Sequence, residues 1–323
     1  MCAFKPKVLA PEDAIPFNGF DSVLEIPRGD NPTQNAWLTL QLRVRLNFVD
    51  SKNRSSKVVT KGATTFIADT DNYLFPILDW PPHLVERFQR EFLATAEKTW
   101  NYQFLLITPP ACADLDYAAG ADGIVRPNVL CLFRLSLIGA SGPLDTSPAA
   151  GPLANGAPHR TIDVVNLAVP VGRGVQDPDK LDMTKPLSGG GYRADAANYS
   201  DQLEFAPSWY DPVQKVLRNT IGHEIGHALG QSHILGLKGL DAYKIGGALG
   251  NKPAAYGAPG SVDAWNIMGV GDRVTLINAV SWRKRIAMHT ATRENDWTVT
   301  GMTGTPPRKI PAAAGPGGST PGS

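Results

Sequence analysis

The sequence predicts an α+β fold, and three observations carry that expectation. Residues 38–50 alternate, with Leu40, Leu42, Val44, Leu46 and Phe48 on one side and Gln41, Arg43, Arg45 and Asn47 on the other. That is the period of a half-buried strand. Residues 129–138 are apolar almost throughout, as a central strand should be. Between them, Val85, Phe88, Phe92 and Ala96 recur at helical spacing behind Pro81 and Pro82, which suit a first helical turn.

Residues 1–37 read as an irregular lead-in with a short strand at 22–26. The strand at 38–50 follows, its polar face expected in solvent. Residues 51–57 are a polar loop and 63–68 another short strand. The helix behind Pro81 runs to about Trp100, with Asp79 or Trp80 ahead of its first turn. Residues 102–108 form a buried-looking strand, 129–138 the central one and 161–169 a third. The connections 139–160 and 172–211 are long and rich in Gly, Pro and Ala; loops of that length are usually functional or mobile.

A second helix is expected to begin near Asp211 and Pro212, good residues for a cap and a first helical position. Val213, Val216, Leu217, Thr220, Ile221, Ile225, Ala228 and Leu229 give it an apolar arc broad enough for a central, buried helix. Gly222 and Gly226 lie one turn apart, and each costs about 1 kcal/mol relative to alanine in a helix. Another element should therefore pack close along that edge. The glycine-rich stretch 235–264, with Tyr243 and Tyr256, wraps the region beyond. Thr275 caps a last helix over roughly 276–289, where Arg283, Lys284 and Arg285 suit a helix C-terminus. From Gly304 the composition is that of a disordered tail. The domain reading is a lead-in over 1–37, one domain over 38–303 that divides near residue 233, and a tail over 304–323.

A formal net charge of +1 over 323 residues offers no basic surface for nucleic acid or an acidic membrane. No apolar run reaches the length of a membrane span. The first residues lack the apolar core of a signal peptide, which leaves three readings open: an intracellular chain, export without a cleaved leader, or a leader absent from this sequence. Cys2, Cys112 and Cys131 are too scattered for a disulfide framework. Cys112 and Cys131 could pair, but reduced, partly buried thiols are the favoured reading. Asp177, Asp179 and Asp182 could take calcium, although their spacing is not that of an EF-hand loop. Gly189, Gly190 and Gly191 lack the ending of a phosphate-binding loop.

The chemistry concentrates in residues 223–233, which hold three of the six histidines. His223 and His227 are four residues apart, about 6 Å of rise and about 40° past a full turn, so both imidazoles leave one side of a helix. A continuous helix would carry His233 about 9 Å further and roughly 240° around, out of reach. The helix must stop in between, and Gly230 is the residue that accepts the left-handed conformation of a helix end. Three ligands leave a fourth position open, the pattern of a catalytic zinc site. Glu224 follows His223 directly and reads as the general base for a water that the metal acidifies, not as a ligand.

The stretch HEIGHALGQSH resembles the extended zinc-binding motif of the metzincin metallopeptidases, H-E-x-x-H-x-x-G-x-x-H. That family also carries a Met-turn beneath its metal, and Trp265-Asn266-Ile267-Met268-Gly269 matches it. The resemblance implies one catalytic Zn²⁺ on His223, His227 and His233, with Met268 packed below and not bound to the ion. It implies a twisted mixed sheet packed with a backing helix and the active-site helix. An irregular C-terminal subdomain with the Met-turn and a final helix would follow. It also implies an extended peptide substrate beside an edge strand, either residues 161–169 or a strand in the following loop. The resemblance is specific over 211–289 and architectural over 38–210. Val270 stands where some members have a tyrosine near the metal, and Ile234 matches no subfamily marker, so the subfamily is open.

The expected function is therefore a zinc-dependent endopeptidase acting on a protein or peptide, as a monomer, with neither nucleic acid nor membrane as partner. Two alternatives stand beside it. One is a zinc-dependent amidase or toxin acting on a non-protein amide. The other is a non-catalytic binding protein that keeps the fold; the intact Glu224 argues against it.

Overall fold

The strand β3 (Ala36–Val49) is the axis of the sheet. One of its edges pairs in parallel with β8 (Asn128–Gly139). The other takes two neighbours: antiparallel β2 (Asp21–Glu25) against residues 37–41, and parallel β10 (Arg160–Leu167) against residues 44–49. The far edge of β8 carries β7 (Phe104–Ile107) and β9 (Gly142–Asp145), both antiparallel, and β14 (Thr298–Gly301) adds outside β7. β10 also pairs with parallel β11 (Ala196–Ser200) and, at Leu167, with antiparallel β6 (Leu74–Ile77), which continues through β5 (Thr64–Ala68) to β4 (Val58–Lys61). The two-residue β1 (Val8–Leu9) pairs with β2. The sheet is mixed and the protein is α+β. This description comes from a computed structural model that covers residues 8–10, 19–26, 36–52, 58–68, 74–115, 128–139, 142–145, 157–167, 196–200, 209–211, 216–239, 256–258 and 260–301. The acids at 177, 179 and 182, the glycines at 189–191, Cys2, Val213, Tyr243 and the tail from 304 lie outside the described residues.

The alternation in β3 does what its period implies. Leu38, Leu40, Leu42 and Val44 are buried together, and helix α1 (Pro82–Trp100) is packed in the same core through Phe88, Phe92, Ala96 and Trp100. Pro81 caps α1 and Pro82 opens it, as the sequence leads one to expect. Burying each such phenylalanine contributes roughly 1.5–3 kcal/mol.

The polar side of β3 is less solvated than expected. Arg43 forms an ion pair with Asp21 on β2, and its backbone N–H donates to His159 Nδ1 at 2.9 Å. Asn47 donates to Asp163 on β10 at 2.7 Å. Because β3 has neighbours on both edges, these polar groups meet partners on adjacent strands before they meet water.

The second helix starts later than expected. Trp209–Asp211 (β12) and Val216–Arg218 (β13) pair as an antiparallel ribbon, and helix α2 covers only Thr220–Ala228. Asn219, not Asp211, is the cap: its side chain accepts from the Gly222 N–H at 2.8 Å. Leu217, placed in the apolar arc by sequence, is 49% exposed. The glycine edge is as inferred. A Cβ on Gly222 would lie 2.8 Å from Thr99 of α1, and one on Gly226 would meet Trp100 at 3.0 Å and overlap Met268. Trp100 Nε1 donates to the Gly222 carbonyl at 2.9 Å, fixing α1 against α2.

Short helices α3 (Ile234–Leu237) and α4 (Val262–Trp265) lead to the final helix α5 (Val280–Thr290). A 3₁₀ turn, Leu276–Ala279, precedes it, with Thr275 and Asn278 in a capping box. Trp282 of α5 stacks on Trp100 at 6.2 Å and donates to the Leu132 carbonyl at 3.0 Å. Arg285 is not a solvated cation near the helix end. It is buried, donates to the Ala10 and Phe20 carbonyls, and lies 4.6 Å over the Phe20 ring. Cys112 is disulfide-bonded, which corrects the expectation of a reduced thiol there. Cys131 is free, and burial pushes its thiol well above the usual range, so it is chemically inert.

Candidate metal centre

Two local structures deliver the three histidines. His223 and His227 project from α2, and their ring centroids are 4.7 Å apart. The helix ends at Leu229, and Gly230 has φ +80°. Its N–H bonds to the His227 carbonyl at 2.8 Å, and the Gln231 N–H bonds to the Gly226 carbonyl at 3.0 Å. That pair of bonds is a Schellman motif, with glycine at the left-handed position. The chain reverses, and His233, at the start of α3, comes back to the helix. Its ring centroid is 4.7 Å from His227 and 5.4 Å from His223. Nitrogens of all three histidines lie within 4.8 Å of one another.

The second nitrogen of each helical histidine fixes its tautomer. His223 Nδ1 is 2.7 Å from the Ile267 carbonyl, and His227 Nδ1 is 2.8 Å from the Gln231 carbonyl. A carbonyl can only accept, so each Nδ1 carries the hydrogen and each Nε2 keeps its lone pair. His227 Nε2 and His233 Nε2 are 3.1 Å apart. Two nitrogens at zinc-bonding distance on one tetrahedral ion are about 3.4 Å apart, so the separation suits a shared ion. Burial, and then the proximity of His227 and His233, hold His223 well below the usual histidine range. A neutral imidazole is the state a metal needs.

Glu224 is buried on α2 beside these rings. Met268 is fully buried, and its side chain lies against Gly226 on α2. The Met268 carbonyl accepts from the Ile234 N–H at 2.9 Å, next to the third histidine. Ile234 is buried at this junction. Met268 thus holds α2 through its side chain and the His233 segment through its backbone.

Two residues at the site carry no motif. The Tyr256 ring lies 4.0 Å from that of His233 and 5.9 Å from that of His223. Its backbone presses on the turn around Met268, where a Cβ on Gly269 would come within 2.9 Å of the Tyr256 carbonyl. Burial, then the charge of Glu224, push its phenol up to about 12, with Arg218 acting the other way. Arg218, from β13, is the second. The glycine-rich composition around Tyr256 suggested a wrapping segment without marking the residue itself.

Among the described residues, then, one site gathers His223, His227, His233, Glu224 and Met268, with Gly230 making the reversal. The donor set fits a single Zn²⁺ with an open position. Neither a family model, a curated protein nor a solved structure matches the chain.

Proposed function

We propose that the chain is a metzincin-type zinc endopeptidase, with one Zn²⁺ on His223, His227 and His233. The observation that carries the reading is the convergence of three histidines, two of them locked by backbone carbonyls with Nε2 left as ligand, around a helix that also bears Glu224. When bound, the ion would polarise the scissile carbonyl and lower the pKa of water there toward neutrality. Glu224 takes a proton from the attacking water at its carboxylate and delivers it to the leaving amine. Tyr256, within electrostatic reach of Glu224 and tilted against the His233 ring, offers a hydroxyl donor to the carbonyl oxygen as it gains charge.

Of the two substrate strands left open, the one in the following loop is favoured. β10 is paired on both edges and cannot accept a peptide. β11 pairs only with β10 among the described residues and contacts α2, so its outer edge is where an extended peptide would add.

Zinc analysis of the purified protein tests the ligand set. About one ion per chain is expected. His233→Ala should weaken zinc retention by more than the roughly 10–100-fold that outer-sphere changes cost. Full retention in that variant would remove His233 from the set. Peptides profiled beside cell-wall amides separate the peptidase from an amidase.

A further inference from the structure

Asn278 lies in the turn that leads into α5, 47 residues beyond Gln231, and it is fully buried. Its Oδ1 accepts from the Thr275 N–H at 2.9 Å and from Asn266 Nδ2 at 2.9 Å. Its Nδ2 donates to Gln231 Oε1 at 3.1 Å and to Asn266 Oδ1 at 3.2 Å. Its backbone carbonyl accepts from Gln231 Nε2 at 2.9 Å. Asn278 is therefore joined by paired amide bonds to Gln231 on one side and to Asn266 on the other, and both partners are themselves buried.

Each partner leads to a histidine. The Gln231 backbone carbonyl is the group that accepts from His227 Nδ1. Asn266 Oδ1 accepts from the Met268 N–H at 2.8 Å, and the neighbouring Ile267 carbonyl accepts from His223 Nδ1. The Met268 carbonyl then holds Ile234, next to His233. The geometry points to Asn278 as a positioning residue for the metal centre, an inference that rests on the metal reading above. Both carbonyls that orient the helical imidazoles sit in irregular chain, where no repeating ladder fixes them. Asn278 adds a side-chain restraint to the Ile234–Met268 backbone bond: it ties the segment after α2 to the 265–269 turn at a second place, and so fixes the spacing of the two carbonyls. Buried amides met on every side hold one arrangement, because a shifted turn would leave donors and acceptors unpaired in a dry interior. Partners that orient ligating histidines typically change metal affinity 10–100-fold when removed.

The test is the zinc dissociation constant of the full chain, measured by competition with a chromogenic chelator, with far-UV circular dichroism and a melt of the zinc-free protein alongside. Asn278→Ala and Gln231→Met should each bind zinc about 10–100-fold more weakly. Trp297→Phe is the control. It loses a half-buried hydrogen bond to Thr292, outside the amide cluster, so it should melt lower yet bind zinc within about twofold of wild type. If Asn278→Ala does not fold, Gln231→Met decides, since it keeps the backbone carbonyl and removes only the link. Folded variants with wild-type zinc affinity would overturn the positioning role and leave the metal reading intact. A wild-type protein that binds no zinc would overturn the metal reading, and this inference with it.

Discussion

Gly226 and Met268 meet so closely that a Cβ on the glycine would overlap the methionine sulfur. The contact joins the middle of α2 to the turn that carries Met268, directly between the two helical histidines in sequence. It explains why a helix with two glycines persists here: the helix propensity lost at Gly226, about 1 kcal/mol, allows an approach that no other residue permits.

Gly226→Ala should therefore destabilise the protein, although alanine is the better helix former. Overpacking typically costs 1–3 kcal/mol, against about 1 kcal/mol regained in propensity. Trp100, at 3.0 Å, closes the other side of the space. Adding Met268→Ala should recover part of the loss in a thermal melt. Strict additivity of the two changes would show that the contact is not what constrains Gly226.

Tyr256→Phe keeps the ring on His233 and removes only the hydroxyl. Peptide turnover should fall by roughly 10–1000-fold, in the range seen when a donor to a developing oxyanion is lost. Zinc content should stay at the wild-type value. Equal turnover in wild type and variant would reduce Tyr256 to a packing residue.

Asp21 gives a pH dependence whose sign is fixed. Burial raises its carboxyl, but the hydrogen bonds of His159 and Arg43 and the Arg43 charge outweigh that and hold it below the usual range. A carboxylate with a lower pKa when folded stabilises the fold above its unfolded pKa, about 3.9. That stability is lost as pH falls through the folded value. Asp21→Asn should thus lower the denaturation midpoint at pH 7, and the gap to wild type should narrow below about pH 4. A gap unchanged between pH 7 and pH 3 would contradict the ion pair's role.

The parts legible in the sequence are those with a repeating or spaced signal. The run of Val85, Phe88, Phe92 and Ala96 behind Pro81 placed α1, which spans Pro82–Trp100 with Pro81 as its cap. The alternation of β3 and the apolar run of β8 placed the sheet's centre. The spacing of His223, His227, Gly230 and His233 foretold that the three imidazoles converge and that the chain reverses at Gly230. What escaped depends on contacts distant in sequence. Val216 and Leu217 suit a helix arc as well as a ribbon strand, and a short apolar run does not choose between them. β14 is four residues long and gains its place only by pairing with β7. Tyr256, Arg218 and Asn278 are single polar residues with no periodic signal. Their roles emerge only when the chain folds back on α2.

The most direct test of the central claim is cleavage of an unbiased peptide library by the zinc-loaded protein, run beside zinc-loaded Glu224→Ala. Wild type should cut peptides and stop when the metal is chelated. The variant should hold about one zinc per chain and lose at least a hundredfold in rate, as expected for removal of a general base. Zinc-loaded wild type that cuts no peptide, or a Glu224→Ala variant that cuts at the wild-type rate, would contradict the account.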